Sequence, residues 1–284
     1  MVLVILAAAC VAAFALLFRA FGRNRIALVP AISINYITAF ILGLIVHPPW
    51  GVGDLSLLAG PSVLLGLLFM SVFLLIGRSA QEAGAAITTI AARMSLVITV
   101  LVSAWVFKED PGPAGWCGIA IALAAMVLAN FSRRSDGSGR SLWLPMVILV
   151  GSALCDLGVG VIHRTRTTEM NEQVLPTLCF GGAALTSLLF LAVRGELGAL
   201  GKLRVVGAGS ALGIINYASL IFLVGALSTS GIPATVIFPL MNICTILIGL
   251  AASMVLFKER LTRLQWVGVA GCMVALALLM WPHQ

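Results

Sequence analysis

Charge is what this sequence has least of. Asp, Glu, Lys and Arg make up 10% of its 284 residues and apolar residues 61%, whereas soluble domains carry about a quarter charged residues. That deficit excludes an ordinary soluble domain and places the chain in a membrane. The 17 basic and 10 acidic residues leave a net charge of +7. The basic residues are scattered as short clusters between apolar runs, so no nucleic-acid partner is expected. Metal-binding patterns are missing too. The six cysteines (Cys10, Cys117, Cys155, Cys179, Cys244, Cys272) all sit inside apolar runs, with no CxxC pair and no neighbouring histidine. A disulfide framework, a zinc site and a cofactor are therefore not expected, and the thiols read as small packing residues. There is no HExxH, no GxSxG and no cluster of acids with a histidine, which disfavours an intramembrane enzyme. No basic segment precedes the first apolar run, so it reads as a span rather than a signal peptide.

What is present is a series of long apolar runs. A helix crossing a hydrocarbon core of about 30 Å needs roughly 20 residues. Ten stretches qualify: approximately 2–18, 26–46, 60–77, 84–107, 114–131, 142–162, 174–193, 205–226, 231–257 and 263–281. They are too long and continuous for the period-two alternation of a barrel strand, so each must satisfy its own backbone as a helix. The expected fold is an all-α polytopic membrane protein with ten transmembrane helices.

Loop charge predicts the orientation. About 13 basic residues follow the odd-numbered runs (Arg19, Arg23, Arg25, Arg78, Arg133, Arg134, Arg140, Arg194, Lys202, Arg204, Lys258, Arg260, Arg263), against about 3 on the other side (Lys108, Arg164, Arg166). The odd loops are thus expected in the cytoplasm and both termini outside. SRRSDGSGRS, residues 132–141, reads as a flexible linker dividing residues 1–131 from 142–284, five runs from five.

The two halves are related. At an offset of 150, FKEDPGPAGWCG and FKERLTRLQWVG match at Phe107/Phe257, Lys108/Lys258, Glu109/Glu259, Trp116/Trp266 and Gly118/Gly268. Fainter matches link residues 84–95 with 231–242, and Cys10, Arg19 and Pro30 with Cys155, Arg164 and Pro176. Five is odd, so the second repeat enters the membrane from the opposite side, giving two inverted five-helix repeats. Within the motif the glutamate suits a helix N-terminus, the tryptophan an interface and the glycine a close helix approach. Its role reads as structural.

Ten runs in two repeats, each with Phe-Lys-Glu and then Trp-x-Gly before its last run, resemble the EamA-type members of the drug/metabolite transporter superfamily. The likeness covers nearly the whole chain. It implies a secondary transporter in the bacterial cytoplasmic membrane that works without ATP, exporting amino acids, other small metabolites or drugs. Two features differ from the family pattern. A proline about twenty residues before the motif glutamate is present as Pro239 in the second half, but Ala91-Ala92-Arg93 stands there in the first. Members usually keep both termini in the cytoplasm, opposite to the charge count here.

Candidate site residues are the polar groups that a bilayer makes costly. Arg93 stands about nine residues into its run, roughly 14 Å deep at about 1.5 Å per residue. Asp156 lies about fourteen residues into its own run. Either the two form an ion pair, or Arg93 receives a carboxylate of the substrate and Asp156 binds the coupling proton or sodium ion. Ser95 and Asn242 correspond through the repeat, with Thr88 and Thr245 in the same two runs. Asn35-Tyr36 and Asn216-Tyr217 add two amide and phenol pairs. The alternative for each uncharged group is an interhelical hydrogen bond, worth about 0.6 kcal/mol. Pro233 and Pro239 interrupt the backbone ladder and are expected to act as a hinge. The spacing of Gly209-Ser-Ala-Leu-Gly213 fits close helix packing. The expected function is secondary transport, by alternating access, of a small polar solute that is amino-acid-like or anionic. Efflux of drugs or cationic compounds is the alternative, and a passive channel has no use for an inverted repeat. The expected partners are a small-molecule substrate, the lipid bilayer and a proton or sodium gradient, with the chain a monomer or weak homodimer.

Overall fold

The computed structural model of the chain describes residues 1–50, 55–82, 92, 95, 98–99, 101–102, 105–106, 108, 112–130, 143–166, 172–257 and 263–279. Among them the secondary structure is helical, without a strand: α1 (Val2–Arg23), α2 (Leu28–Val46), α3 (Ser56–Glu82), α4 (Gly112–Asn130), α5 (Trp143–Arg166), α6 (Leu175–Val193), α7 (Leu203–Thr229), α8 (Ala234–Phe257) and α9 (Arg263–Leu279), with 3-10 turns at Glu172–Val174 and Leu197–Gly201. These nine coincide with nine of the ten apolar runs. The run at 84–107 lies largely outside the described residues. Among the described residues, five helical segments are long and apolar enough to cross a membrane: Leu28–Val46, Ser56–Ile76, Met146–Thr165, Leu175–Val193 and Leu203–Thr229. Large apolar side chains also point outward, Val193 at 89% and Leu203 at 85% exposure. Helices that are apolar all round in this way suit a lipid surround.

Two compact units make up the chain, and each takes helices from both sequence halves. The first comprises Cys10–Leu74 and Gly158–Ser228; the second comprises Met1–Ala9, Leu75–Leu157 and Thr229–Gln284.

In the first unit, α2 packs along α6. The two run antiparallel: a Cβ on Gly43 would stand 2.5 Å from Thr177 Oγ1, and one on Gly181 would meet the Phe40 ring at 2.8 Å. Helices α3 and α6 approach backbone to backbone, since a Cβ on Gly182 would lie 2.7 Å from Val63 Cα and one on Gly66 would strike Ala183 N. The GSALG segment brings α7 against α2, as its spacing implies: a Cβ on Gly209 would sit 2.6 Å from Ala31 O, and one on Gly213 2.5 Å from Asn35 O. Lipid tails are as apolar as leucine, so helix association here comes from such close contact rather than from water exclusion. Phe21, Ala31, Val205 and Leu212 form a buried cluster beside Phe14, Phe18 and Ile34.

Both α1 and α6 end in the same turn. Glu196 N–H donates to Leu191 O and Gly195 N–H to Ala192 O, with Gly195 at φ 65°. After α1, Ile26 N–H donates to Phe21 O and Arg25 N–H to Gly22 O, but the left-handed residue is Arg25, at φ 52°. This is the Schellman closure of a helix, which favours glycine at that position.

In the second unit, α4 packs along α9, and both touch α8. A Cβ on Gly271 would meet Ala125 Cβ at 2.8 Å. Gly118 and Gly268 of the repeated motif are buried, while Trp116 and Trp266 are exposed. Glu109 and Glu259 lie outside the described residues. Pro233 stands ahead of α8, its carbonyl accepting from Val236 N–H and Ile237 N–H, whereas Pro239 lies within the helix.

The glycine contacts generate a paired expectation. Gly213→Ala drives a methyl group into Asn35 O and is expected to destabilise the protein by about 1–3 kcal/mol, the range for overpacking. Gly207 has nothing within 4 Å of an added Cβ, so Gly207→Ala is expected to leave stability unchanged or raise it by up to about 1 kcal/mol through helix propensity. Thermal unfolding of the two variants in the same detergent checks the contrast.

Candidate functional site

The polar residues of the first unit gather where α2, α6 and α7 meet. On α2, Asn35 and Tyr36 are fully buried and point in different directions, since neighbouring residues on a helix are about 100° apart. Asn216 Nδ2 donates to Asn35 Oδ1 at 3.1 Å, joining α7 to α2. Thr38 Oγ1 donates to Ser210 Oγ at 3.3 Å between the same helices. Asn35 Nδ2 has no hydrogen-bond partner among the described residues. An unmet donor at this depth is costly, because no water is at hand to compensate.

Tyr36 stacks into a run of rings. Its centroid lies 5.9 Å from Phe73 and 6.3 Å from Phe180, and Phe180 lies 6.3 Å from Tyr217. These edge and tilted contacts join α2, α3, α6 and α7.

The far end of α2 brings in a residue that the sequence reading did not single out. His47 precedes Pro48-Pro49, and a residue before proline is steered away from helical geometry. It adopts φ −132° and ψ 73° and ends the helix, its N–H donating to Gly43 O at 2.8 Å. Its ring Nδ1 meets Tyr217 Oη at 2.8 Å, and its carbonyl accepts from Thr177 Oγ1 at 3.2 Å. Burial lowers the imidazole pKa below its ordinary 6.5, with a hydrogen bond to Gln173 opposing the shift. The signal available in the sequence was a titratable residue closing an apolar run just before two prolines. Thr177, one residue after Pro176, carried no such mark. His163, beside Arg164, belongs to α5 and bonds through Nε2 to Ser228 Oγ of α7 at 2.9 Å.

In the second unit the predicted polar residues turn to their own helices. Ser95 Oγ donates to Ala92 O at 2.7 Å, Thr245 Oγ1 to Met241 O at 2.7 Å and Asn242 Nδ2 to Phe238 O at 3.0 Å. All three are buried. Asp156 is half-buried on α5 and has an interaction partner. Arg93 and Thr88 lie outside the described residues. Of the nine predicted substrate residues, the first unit thus brings together Asn35, Tyr36, Asn216 and Tyr217. No group of three His, Cys, Asp or Glu able to hold a metal ion occurs among the described residues, and the five described cysteines are free thiols.

No model of a known protein family matches the chain. It is 25% identical over 274 residues to an uncharacterized protein of Haemophilus influenzae, covering 93% of this chain and 92% of that one. A protein solved by crystallography superimposes with a TM-score of 0.74 at 15% identity, over 98% of this chain and 95% of its own. That likeness is one of fold.

Two expectations arise from the site. Asn216→Leu strips Asn35 of the one side-chain hydrogen bond it makes among the described residues, leaving a fully buried amide without that partner. It should cost about 1–3 kcal/mol, whereas Asn35→Leu removes the unmet donor along with the pair and should cost less; melting of the two single variants and the double tests the order. The second concerns pH. Because the folded state disfavours a proton on His47, the unfolded chain binds more protons near and below pH 6.5, so stability falls as pH drops through that range. His47→Gln should flatten that part of the melting-temperature profile.

Proposed function

We propose that this chain is an EamA-like secondary active transporter of the bacterial cytoplasmic membrane. It moves a small polar solute, amino-acid-like or anionic, outward by alternating access between two inverted five-helix repeats. The observation that carries this reading is the pairing of repeat mates. Helix α2 packs antiparallel to α6, its counterpart through Pro30/Pro176, and α4 packs along α9, its counterpart through Trp116/Trp266. Repeats that meet through corresponding helices are what an internal two-fold axis in the membrane plane produces, and transporters place their solute near such an axis. The buried amides and phenols of Asn35, Tyr36, Asn216 and Tyr217 support the choice of a polar solute. Neutral groups of this kind bind and release without the tight grip of an ion pair. Ten spans and external termini belong to the same reading, from run count and loop charge.

Efflux of cationic compounds is favoured by one observation, the run of rings from Phe73 through Tyr36 and Phe180 to Tyr217, since aromatic faces attract organic cations. Counterflow in proteoliposomes decides. Labelled amino acids, small carboxylates and quaternary ammonium compounds are each exchanged against unlabelled solute. The reading predicts saturable exchange of an amino acid or carboxylate, reduced tenfold or more by Asn216→Ala (about 1.4 kcal/mol or above). Exchange confined to the ammonium compounds establishes the efflux reading instead. Uptake without saturation across the panel overturns both.

A further inference from the structure

His47 sits in a network built to accept either of its protonation states. When the ring is neutral with its lone pair on Nδ1, that nitrogen accepts the Tyr217 hydroxyl across the 2.8 Å contact. When the ring is protonated, Nδ1–H donates across the same contact and Tyr217 Oη becomes the acceptor. The phenol hydrogen is then free to turn toward the Thr177 hydroxyl beside it. Thr177 has its own hydrogen committed to the His47 carbonyl, so its oxygen lone pairs are available. In either state the His47–Tyr217 contact serves as a hydrogen bond, with donor and acceptor exchanged. A histidine held for packing alone needs one state, not two.

The surroundings fit proton exchange. Among the described residues, the groups bonded to His47 from other elements are the Tyr217 phenol from α7, the Thr177 hydroxyl from α6 and the Gln173 amide from the turn before α6. These three are polar and, around neutral pH, uncharged. His47 stands just past the end of the Leu28–Val46 span and is half-buried, within reach of water. Gly43 positions the network, because any side chain there would press on Thr177 Oγ1.

We propose that His47, Tyr217 and Thr177 form a proton-binding site that takes up one proton on His47 Nδ1 and supplies the coupling ion for transport. The coupling role rests on the transporter reading; the proton site does not. The step balances simply: water or hydronium gives up a proton, an N–H bond forms at the imidazole lone pair, and the Tyr217 hydrogen bond reverses direction. Tyr217 and Thr177 are positioning residues, acting through His47.

Histidine-labelled full-length protein in lipid nanodiscs, followed by nitrogen NMR across pH, tests this without any solute. The chain has three histidines, and His47 is assigned by the signal lost in His47→Gln. The expected result is a titration below pH 6.5. Tyr217→Phe should lower its midpoint by about half a pH unit or more, roughly a threefold loss of proton affinity, because the imidazolium loses its acceptor while its burial stays. Thr177→Val should move it in the same direction and carries the test where Tyr217→Phe does not fold. A midpoint unmoved or raised in the folded variants overturns the proposal, as does a His47 signal that fails to titrate between about pH 4 and 8. Saturable counterflow with an unmoved midpoint removes the proton site alone. An intact, shifting titration without counterflow removes the transport reading and leaves the site.

Discussion

Lipid offers no hydrogen-bond partner, and the arrangement of polar groups in this protein follows from that constraint. Most buried hydroxyls meet it locally by bonding a carbonyl three or four residues back, as Ser33 does to Val29 O, Ser187 to Ala184 O and Ser219 to Asn216 O. Such groups are settled within one helix and have little left to offer a solute. Contacts that cross between helices are of another kind: His163 with Ser228 between α5 and α7, and Asn35 with Asn216, Thr38 with Ser210, and His47 with Tyr217 and Thr177. They tie α2, α5, α6 and α7 together, and they mark where polar chemistry is available inside an apolar unit.

Small residues make those crossings geometrically feasible. Gly209 and Gly213 let α7 approach closely enough for short amide and hydroxyl side chains to reach α2, and Gly43 does the same for Thr177. A bulkier helix surface would separate the axes and leave Asn35 stranded. Packing and polar satisfaction are therefore one problem here, solved at the same positions.

Much of this was legible in the amino-acid order. Long apolar runs mark helices reliably because the backbone has no alternative in lipid, and nine of the expected runs are helices with ends within a few residues. Asn35-Tyr36 and Asn216-Tyr217 stood out as polar interruptions, and the unit containing both brings them together. What could not be seen was orientation around each helix. Ser95 and Thr245 looked the same in sequence as Asn35 and Asn216, yet each bonds a carbonyl three or four residues back, and a residue list carries no record of that choice. His47 and Thr177 escaped notice because their link spans 130 residues, and nothing in either local sequence refers to the other. Pro233 and Pro239 share a run but differ in position, since one precedes the helix and the other lies within it.

The two matching helix ends invite a last comparison. After α6 the left-handed position belongs to Gly195, and after α1 the same hydrogen bonds close around Arg25. A side chain in that conformation costs about 1–2 kcal/mol relative to the right-handed one, so the α1 turn holds a small reserve of strain that the α6 turn lacks. Arg25 is also one of three closely spaced arginines at the end of α1, with Arg19 and Arg23, the sort of cluster that biases which way a membrane chain inserts. At this one residue a cation occupies a position whose backbone favours glycine. The protein thus sits below its attainable stability at this turn, by about the cost of one left-handed side chain.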